Sequence, residues 1–231
     1  MTSPSTLFLV NQLCERYPSL EPVKPAIEEA CNQLIACYEQ GGKVLTCGNG
    51  GSCADADHIV GELMKSFELK RPIRQGLKDK LAAISPERGN YLAEHLQQGL
   101  PAISLTTHTA LMTAVANDID GTLIFAQQVI GYGKVGDVLV AISSSGNSQN
   151  VLDACLVARA MDLTVIGLTG ETGGKMKELC DVLINVAGRR TAFVQELHLP
   201  VYHVLCLAIE HHYFGPSALR LRPGTGAADE I

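Results

Sequence analysis

The chain has 231 residues, of which 46% are hydrophobic, and its formal net charge is −6. This length is typical of one domain, or of one domain with an insertion, and it is sufficient to bury a core. The acidic balance argues against nucleic acid as a partner, and the lack of any run of about 18 apolar residues predicts no membrane span.

The predicted elements begin with two helices. Apolar residues at helical spacing run over residues 5–40, and Pro18, Pro22 and Pro25 divide this stretch in two. Beyond it, short apolar runs alternate with stretches of helical periodicity. The runs that predict strands are Lys43–Cys47, Ile103–Leu105, Asp137–Ile142, Thr164–Leu168 and Val182–Val186. Strands that alternate with helices predict a parallel sheet covered by helices on both faces.

Helices are predicted between and after these strands. Ser52 is the expected N-cap of the first, with Asp55 and Asp57 in its first turn, where the helix dipole favours acidic side chains. The predicted helices are Ser52 to about Lys65, Thr109–Val129 with a break near Asp118–Gly121, Asn147–Met161, a short helix ending at Cys180, and Phe193–His212.

One segment interrupts the alternation of strands and helices. The segment Ile73–Leu100 is rich in Lys, Arg, Gln and Glu, has apolar residues at helical spacing and breaks at SPERGN. It predicts a helical excursion, which is either a hairpin packed on the surface or a lid over a site. A single domain is expected over residues 1–215. The tail Pro216–Ile231 is rich in Gly, Pro and Ala and is expected to be flexible.

Two turns rich in glycine and serine each follow a predicted strand and open a predicted helix. They are GNGGS at Gly48–Ser52 and SSSGNS at Ser143–Ser148. Such turns present unpaired backbone N–H groups and the positive end of a helix dipole, so together they predict a phosphorylated ligand in one crevice. A nucleophilic serine is the competing interpretation, but no G-x-S-x-G elbow is present. A third turn at Gly170–Lys175 is expected only to cap a helix.

Polar side chains in two predicted helices are candidates for chemistry. His58 and Glu62 are four residues apart and share a helical face, so they could bind a metal, supply a base, or simply stabilise a surface helix. Polar residues also lie within the apolar last helix, where they need structural or catalytic partners. These residues are Gln195, Glu196, His198 and His203. Gln195 and His203 are separated by an axial rise of about 12 Å, so they could reach one ion only from opposite sides.

In chain order, the segments GNGGS, HIVGEL, ND, SSSGNS, TGETGGKM and QELHLPVYH resemble the motifs of the sugar isomerase (SIS) domain family. The resemblance covers nearly the whole chain outside Ile73–Leu100 and the tail. It implies an α/β fold with a doubly wound, five-stranded parallel sheet, assembled as a homotetramer with sites at subunit interfaces. The eight cysteines include no C-x-x-C pair and are expected to be free thiols in a reducing cytoplasm, so we expect a cytoplasmic protein.

The resemblance also implies roles for individual residues. Those implied to hold the phosphate are Ser52, Ser143, Ser144, Ser145 and Ser148. Those implied to contact the sugar are Asn49, Gly50, Gly51, Asn117, Asp118 and Gln195. Zinc is implied at His58, Glu62, Gln195 and His203, with Glu62 and His203 as the acid–base pair. Two reservations apply: a simple Asn-Asp turn also explains Asn117 and Asp118, and Ala192 stands where the family often has an acidic residue.

The activity that the resemblance implies is isomerisation of sedoheptulose 7-phosphate to a D-glycero-D-manno-heptose 7-phosphate through a cis-enediol, in heptose synthesis. The alternative is a non-catalytic SIS protein that acts as a sugar-phosphate-binding adaptor or regulator. Adaptors of that kind lack the glutamate–histidine pair, which this chain keeps as Glu62 and His203. Members with other substrates are longer or append regulatory modules.

Overall fold

Within residues 2–216, which the computed structural model describes, five strands form one parallel sheet. The strands are β1 (Val44–Gly48), β2 (Ala102–Ser104), β3 (Val138–Ile142), β4 (Thr164–Thr169) and β5 (Val182–Asn185). Their order is β2-β1-β3-β4-β5, and every neighbouring pair is parallel. The predicted sheet is therefore confirmed, and each predicted strand overlaps an observed one. Of the predicted flexible tail, residues 217–231 lie outside the described residues.

Helices cover both faces of this sheet. They are α1 (Pro4–Arg16), α2 (Lys24–Glu39), α3 (Gly51–Met64), α4 (Gln75–Ile84), α5 (Pro86–His95), α6 (Thr109–Asp118), α7 (Ala126–Tyr132), α8 (Gln149–Ala160) and α9 (Thr191–Phe214). Two details of the prediction were wrong. The N-cap of α3 is Gly50 and not Ser52, which places Asp55 and Asp57 beyond the first turn. The predicted short helix ending at Cys180 is a 3₁₀ helix, Gly174–Glu178.

The core has two layers because successive residues of a strand point to opposite faces of the sheet. On one face Val44 and Val140 pack with buried residues of α1, α2, α3 and α9. On the other, Leu45 and Leu139 pack with buried residues of α7 and α8. Burial on both faces explains why the strands read as continuous apolar runs. All eight cysteines are free, as predicted, and six of them are buried.

By length and composition alone, α9 could cross a membrane, although the sequence analysis predicted no span. Half of its apolar window is buried inside the fold, against the helices that cover one sheet face. Its Glu210 is fully buried and paired with Arg71. A core helix of an α/β domain has these properties. The length and hydropathy of α9 are therefore only weak support for a membrane span.

The strand order reverses at β1, whose neighbours on its two sides are β2 and β3. In open α/β sheets, ligands bind outside the carboxyl ends of the strands at such a switch point. The register pairs Gly48, the last residue of β1, with Ile142, the last residue of β3. The two glycine- and serine-rich turns therefore begin side by side at this point.

The segment predicted as a helical excursion is a hairpin of α4 and α5, as expected. The break falls at Ser85, and Pro86 starts the second helix. No residue of α4 is buried, and Ile84 is 84% exposed. The base of the hairpin is closed by a bridge between Pro72 and Gln97. The choice between a surface hairpin and a lid stays open.

Candidate active site

The first turn leaves the N-terminus of α3 open to a ligand. Gly50 is its N-cap with φ +58°, and no side chain caps the helix. Free N–H groups at a helix start, together with the helix dipole, favour an anion. The side-chain amide of Gln195, on α9, occupies the space where a Cβ of Gly51 would lie. Glycine at position 51 therefore allows Gln195 to reach the turn.

The second turn has the same character at the start of α8. Ser148 is the N-cap, and no side chain caps this helix either. Ser143 is buried, and its Oγ lies 3.2 Å from Oγ of Ser148. Ser144 is half-buried and Ser145 is exposed. The hydroxyls of Ser143 and Ser148 thus lie together at the uncapped start of α8, and an anion site between the two turns stays a prediction.

The third turn contacts the second, so the expectation that it only caps a helix was incomplete. The backbone N–H of Met176 donates to the carbonyl oxygen of Gly146 at 3.1 Å. The N–H of Lys175 donates to Oδ1 of Asn147, also at 3.1 Å. Gly146 is buried and packs directly on the backbone of Gly173. The third turn therefore supports the shape of the second.

We expect Gly146→Ala to weaken phosphate binding and to destabilise the fold by about 1–3 kcal/mol. Gly146 has φ +65°, and a Cβ there would overlap the carbonyl oxygen of Gly173, which belongs to a fixed backbone. Urea unfolding and calorimetric titration with inorganic phosphate would measure the two effects. Gly131→Ala on α7 is the control, because a Cβ there meets open space. Equal behaviour of the two variants would contradict the prediction.

Two asparagines join the first turn to α8. Nδ2 of Asn49 donates to Oδ1 of Asn150 at 2.8 Å, and Nδ2 of Asn150 donates back to Oδ1 of Asn49 at 2.9 Å. The pair spans the crevice between the ends of β1 and β3. Sequence analysis missed Asn150, since nothing local marks a partner 101 residues away. The pairing fixes the direction of Asn49, which was predicted to contact the sugar.

His58 and Glu62 lie about two and three helical turns beyond the first anion turn on α3, and they form a cluster with His203 of α9. Nε2 of His58 lies 3.2 Å from Oε1 of Glu62, whose residue is 9% exposed. The ring of His203 is edge-on to that of His58, with centroids 5.1 Å apart. The i, i+4 pair is thus part of a tertiary cluster and not an isolated surface pair.

His203 brings a buried ring nitrogen without a partner to this cluster. Burial, and then the nearby His58 ring, lower the pKa of His203 below its usual value. Its Nε2 is buried and has no hydrogen-bond partner. A neutral imidazole nitrogen without a partner can accept a proton, donate one or ligate a metal. The structure therefore leaves His203 available for chemistry.

The geometry agrees with comparisons to known proteins. A family model described as SIS domain matches residues 10–94 and 82–170. A phosphoheptose isomerase of Rhodospirillum rubrum is 44% identical over 186 residues, which cover 80% of this chain and 85% of the relative. One from Burkholderia pseudomallei (strain 1710b) is 40% identical over 195 residues, or 84% and 86% of the two chains. The chain belongs to the SIS domain family of phosphoheptose isomerases.

A solved structure supports the same family. The structure of a phosphoheptose isomerase from Francisella tularensis matches with a TM-score of 0.70 and 32% identity, covering 90% of this chain and 95% of that one. The SIS fold predicted from the sequence motifs is therefore confirmed.

The zinc set implied for this family is only partly assembled in the chain. The 3.2 Å between His58 and Glu62 is close to the separation of about 3.3 Å between two ligands of one tetrahedral zinc. The unpartnered Nε2 of His203 adds a third donor. Gln195 instead contacts Gly51, and within residues 2–216 no three His, Cys, Asp or Glu side chains stand at metal-binding separations. The donor types fit zinc, but the chain without metal does not hold all of them in place.

Three neighbours of the cluster were not predicted as part of it. The hydroxyl of Tyr202 lies 2.9 Å from Nδ1 of His58 and 3.3 Å from Oδ1 of Asp55. Nζ of Lys65 lies 3.3 Å from Oε2 of Glu62. The position of Lys65 three residues after Glu62 is a local signal that sequence analysis could have used. Tyr202 gave no such signal, because it lies 147 residues from Asp55.

A buried ion pair fixes the C-terminal end of α3. Nε of Arg71 donates to Oε1 of Glu210 at 2.7 Å, and its Nη atoms donate to the carbonyl oxygens of Leu63 and Glu62. Glu210 also accepts from the backbone N–H groups of Phe67, Glu68 and Leu69. Arg71 thereby holds the turn of helix that carries Glu62 against α9.

The remaining candidates lie apart from this cluster. Asn117 and Asp118 are exposed at the end of α6, and the amide of Asn117 donates to the carboxylate of Asp118. No hydrogen bond joins them to the other candidates within the described chain. His198 is fully buried, with Nε2 beside the carbonyl oxygen of Thr169, and burial lowers its pKa to about 4. Its role is structural, and Glu196 is exposed.

Proposed function

We propose that this chain interconverts sedoheptulose 7-phosphate and a D-glycero-D-manno-heptose 7-phosphate by proton transfer through a cis-enediol. The observation that carries the proposal is that Glu62 clusters with His203, whose Nε2 has no partner, on the helix that starts at the first anion turn. The curated relatives that match most of the chain are named phosphoheptose isomerases. The chain thus combines the machinery for isomerisation with a place for the phosphate.

The phosphate is proposed to bind between the two turns. Backbone N–H groups at the starts of α3 and α8 would donate to its oxygens, together with hydroxyls from the serine cluster. The proposed hydroxyls are those of Ser52, Ser143, Ser144, Ser145 and Ser148. Gly50, Gly51, Asn49 and Gln195 lie at the first turn and are proposed to contact the sugar, with Asn117 and Asp118 as further contacts. Phosphate anchored at one end would place the sugar carbonyl deeper along α3.

Glu62 is the proposed base. Its carboxylate would take a proton from C1 of the ketose, and the C1–H electron pair would form the double bond of the enediol. The same proton, or one from solvent, returns to C2 to give the aldose. His203 would move the remaining proton between the oxygens on C1 and C2. The reaction is redox-neutral, and acid–base assistance of this kind contributes about 10²–10⁴-fold in rate.

Zinc is the proposed cofactor, with His58, Glu62, Gln195 and His203 as its ligands. When bound, it would supply a Lewis acid that polarises the carbonyl. Support comes from the unpartnered Nε2 of His203 and the close approach of His58 to Glu62. Gln195 would have to leave Gly51 to join the other three.

We further propose a cytoplasmic homotetramer with sites at subunit interfaces. Large apolar side chains are exposed on the two helices that carry the cluster, namely Met64 on α3 and Phe193 and Leu199 on α9. Exposed apolar groups beside a site are typical of protein interfaces. Free cysteines throughout the chain suit a reducing compartment.

Turnover of sedoheptulose 7-phosphate in D₂O, with chelator and with added zinc, tests the proposed function. We expect formation of the aldose with deuterium at C2, because a carboxylate base exchanges its proton with solvent, and faster turnover with zinc. Binding of the sugar phosphate without turnover would instead support the adaptor or regulator. Absence of binding would indicate another sugar phosphate, selected by the hairpin of α4 and α5.

A further inference from the structure

A chain of hydrogen bonds runs behind the histidine cluster. Oδ1 of Asp55 lies 3.3 Å from the hydroxyl of Tyr202, and that hydroxyl lies 2.9 Å from Nδ1 of His58. Nε2 of His58 then lies 3.2 Å from Oε1 of Glu62. Tyr202 is only 1% exposed, and its ring is edge-on to both His58 and His203. The phenol therefore has a fixed position between a carboxylate and an imidazole.

The number of protons on these groups decides which group donates in each hydrogen bond. The carboxylate of Asp55 can only accept, and the phenol of Tyr202 has one proton to donate. Oδ2 of Asp55 is buried and has no hydrogen-bond partner. If the phenol donated to His58 instead, both carboxylate oxygens would be left without a donor from the protein, which is costly because Oδ2 is buried. The favoured direction is donation from Tyr202 to Asp55.

This direction also sets the tautomer of His58. Once its proton is directed at Asp55, the phenol oxygen of Tyr202 can only accept, so Nδ1 of His58 must carry a proton. In the neutral ring, Nε2 then presents a lone pair to the carboxylate of Glu62. Two acceptors 3.2 Å apart repel each other unless a donor or a cation lies between them. The His58 side chain is 42% exposed, so water can partly meet this need, whereas one metal ion can be bound by both atoms at once.

We propose that Asp55 and Tyr202 are positioning residues that hold His58 with a proton on Nδ1 and keep Nε2 for a cation shared with Glu62. The significance for turnover rests on the proposed function, but the proton position is a property of the chain without substrate or metal. Outer partners of metal-binding histidines typically affect metal affinity by about 10–100-fold.

Nitrogen-15 NMR of the metal-free protein at about pH 8.5 tests the proton position directly, because most histidines are neutral there. His58→Gln assigns the signal. We expect Nδ1 of His58 to be protonated, whether or not Nε2 also is. Asp55→Asn should reverse the direction of these hydrogen bonds, because an amide can donate to the phenol oxygen of Tyr202. The phenol would then donate to Nδ1 of His58, and the imidazole proton would move to Nε2. Tyr202→Phe should remove the preference for a proton on Nδ1 over Nε2 of His58.

Titration with Zn²⁺ alone, in competition with a chelator, is the second readout. We expect Asp55→Asn and Tyr202→Phe to bind zinc about 10–100-fold more weakly than the unmodified protein. Tyr213→Phe is the matched control, because it removes a phenol of the same helix that donates to the carbonyl oxygen of Ile35. That control should keep both the tautomer and the zinc affinity.

Two results would overturn the proposal. One is the finding that the neutral imidazole ring of His58 in the unmodified protein carries its proton on Nε2. This measurement does not require any variant to fold. The other is a Tyr202→Phe variant whose tautomer and zinc affinity equal those of Tyr213→Phe. Failure of the unmodified protein to turn over sedoheptulose 7-phosphate would count against the proposed function alone, since the NMR experiment does not depend on it.

Discussion

Replacing Glu62 with Gln is expected to lower kcat for sedoheptulose 7-phosphate by about 10²–10⁴-fold, with little change in sugar-phosphate affinity. The amide keeps the shape of the side chain but cannot take a proton from carbon. The phosphate is proposed to bind at the turns after β1 and β3, whereas Glu62 lies three helical turns further along α3. A substitution at Glu62 can therefore slow proton transfer without weakening phosphate binding.

The measurement compares steady-state rates with binding of the sugar phosphate by calorimetry. Zinc must be saturating, because Glu62 is also a proposed ligand and a weaker metal site would lower the rate by another route. Glu196→Gln is the matched control: it removes an exposed carboxylate next to Gln195 and should keep full activity. Parallel losses of binding and turnover in Glu62→Gln would refute its assignment as the base.

The sequence predicted those parts of the molecule whose signals are local. Apolar runs and helical spacing predicted all five strands and the helices around them, since periodicity reports burial within one element. The anion turns were predicted for the same reason, because a strand, small residues and a helix follow one another directly. Ser52 was misplaced as the N-cap, since Gly50 can adopt the positive φ that this turn requires.

Contacts between distant segments could not be predicted in this way. Asn150 lies 101 residues from Asn49, Tyr202 lies 147 residues from Asp55, and the ion pair of Arg71 spans 139. Each depends on how α3, α8 and α9 pack on the sheet, and no single segment contains that information. The family resemblance supplied Glu62 and His203 as a pair, but not the residues behind them.

Replacing Arg71 with Met is expected to destabilise the protein by about 3–5 kcal/mol, because it leaves Glu210 as a buried charge without its cation. Both side chains are fully buried, and they are 2.7 Å apart. The carbonyl oxygens of Glu62 and Leu63 also lose their bonds from Arg71, although Leu63 keeps the N–H of Leu100, so kcat should fall with stability. Urea unfolding at fixed protein concentration, with an unchanged m-value, would measure the loss.

The exposed pair of Arg189 and Glu171 provides the control. Its side chains are 79% and 52% exposed, so Arg189→Met should change stability by less than about 1 kcal/mol. If both variants lost the same stability, burial would not be the source of the effect. A Glu210→Gln change in the Arg71→Met background should recover part of the loss, because the remaining side chain is then neutral.

The pH dependence of the same variants separates charge from packing. Burial alone would raise the pKa of Glu210, but three backbone N–H donors and Arg71 outweigh it and hold the pKa below its usual value. A depressed carboxyl pKa gives stability that is present above the unfolded value of about 4.3 and is lost as the pH falls through the folded value. The penalty of Arg71→Met should therefore be largest near neutral pH and shrink as the pH falls, because Glu210 takes up a proton at a higher pH in the folded variant than in the folded unmodified protein. A penalty that stays constant over this range would mean that the lost packing of Arg71, and not its charge, holds α3 against α9.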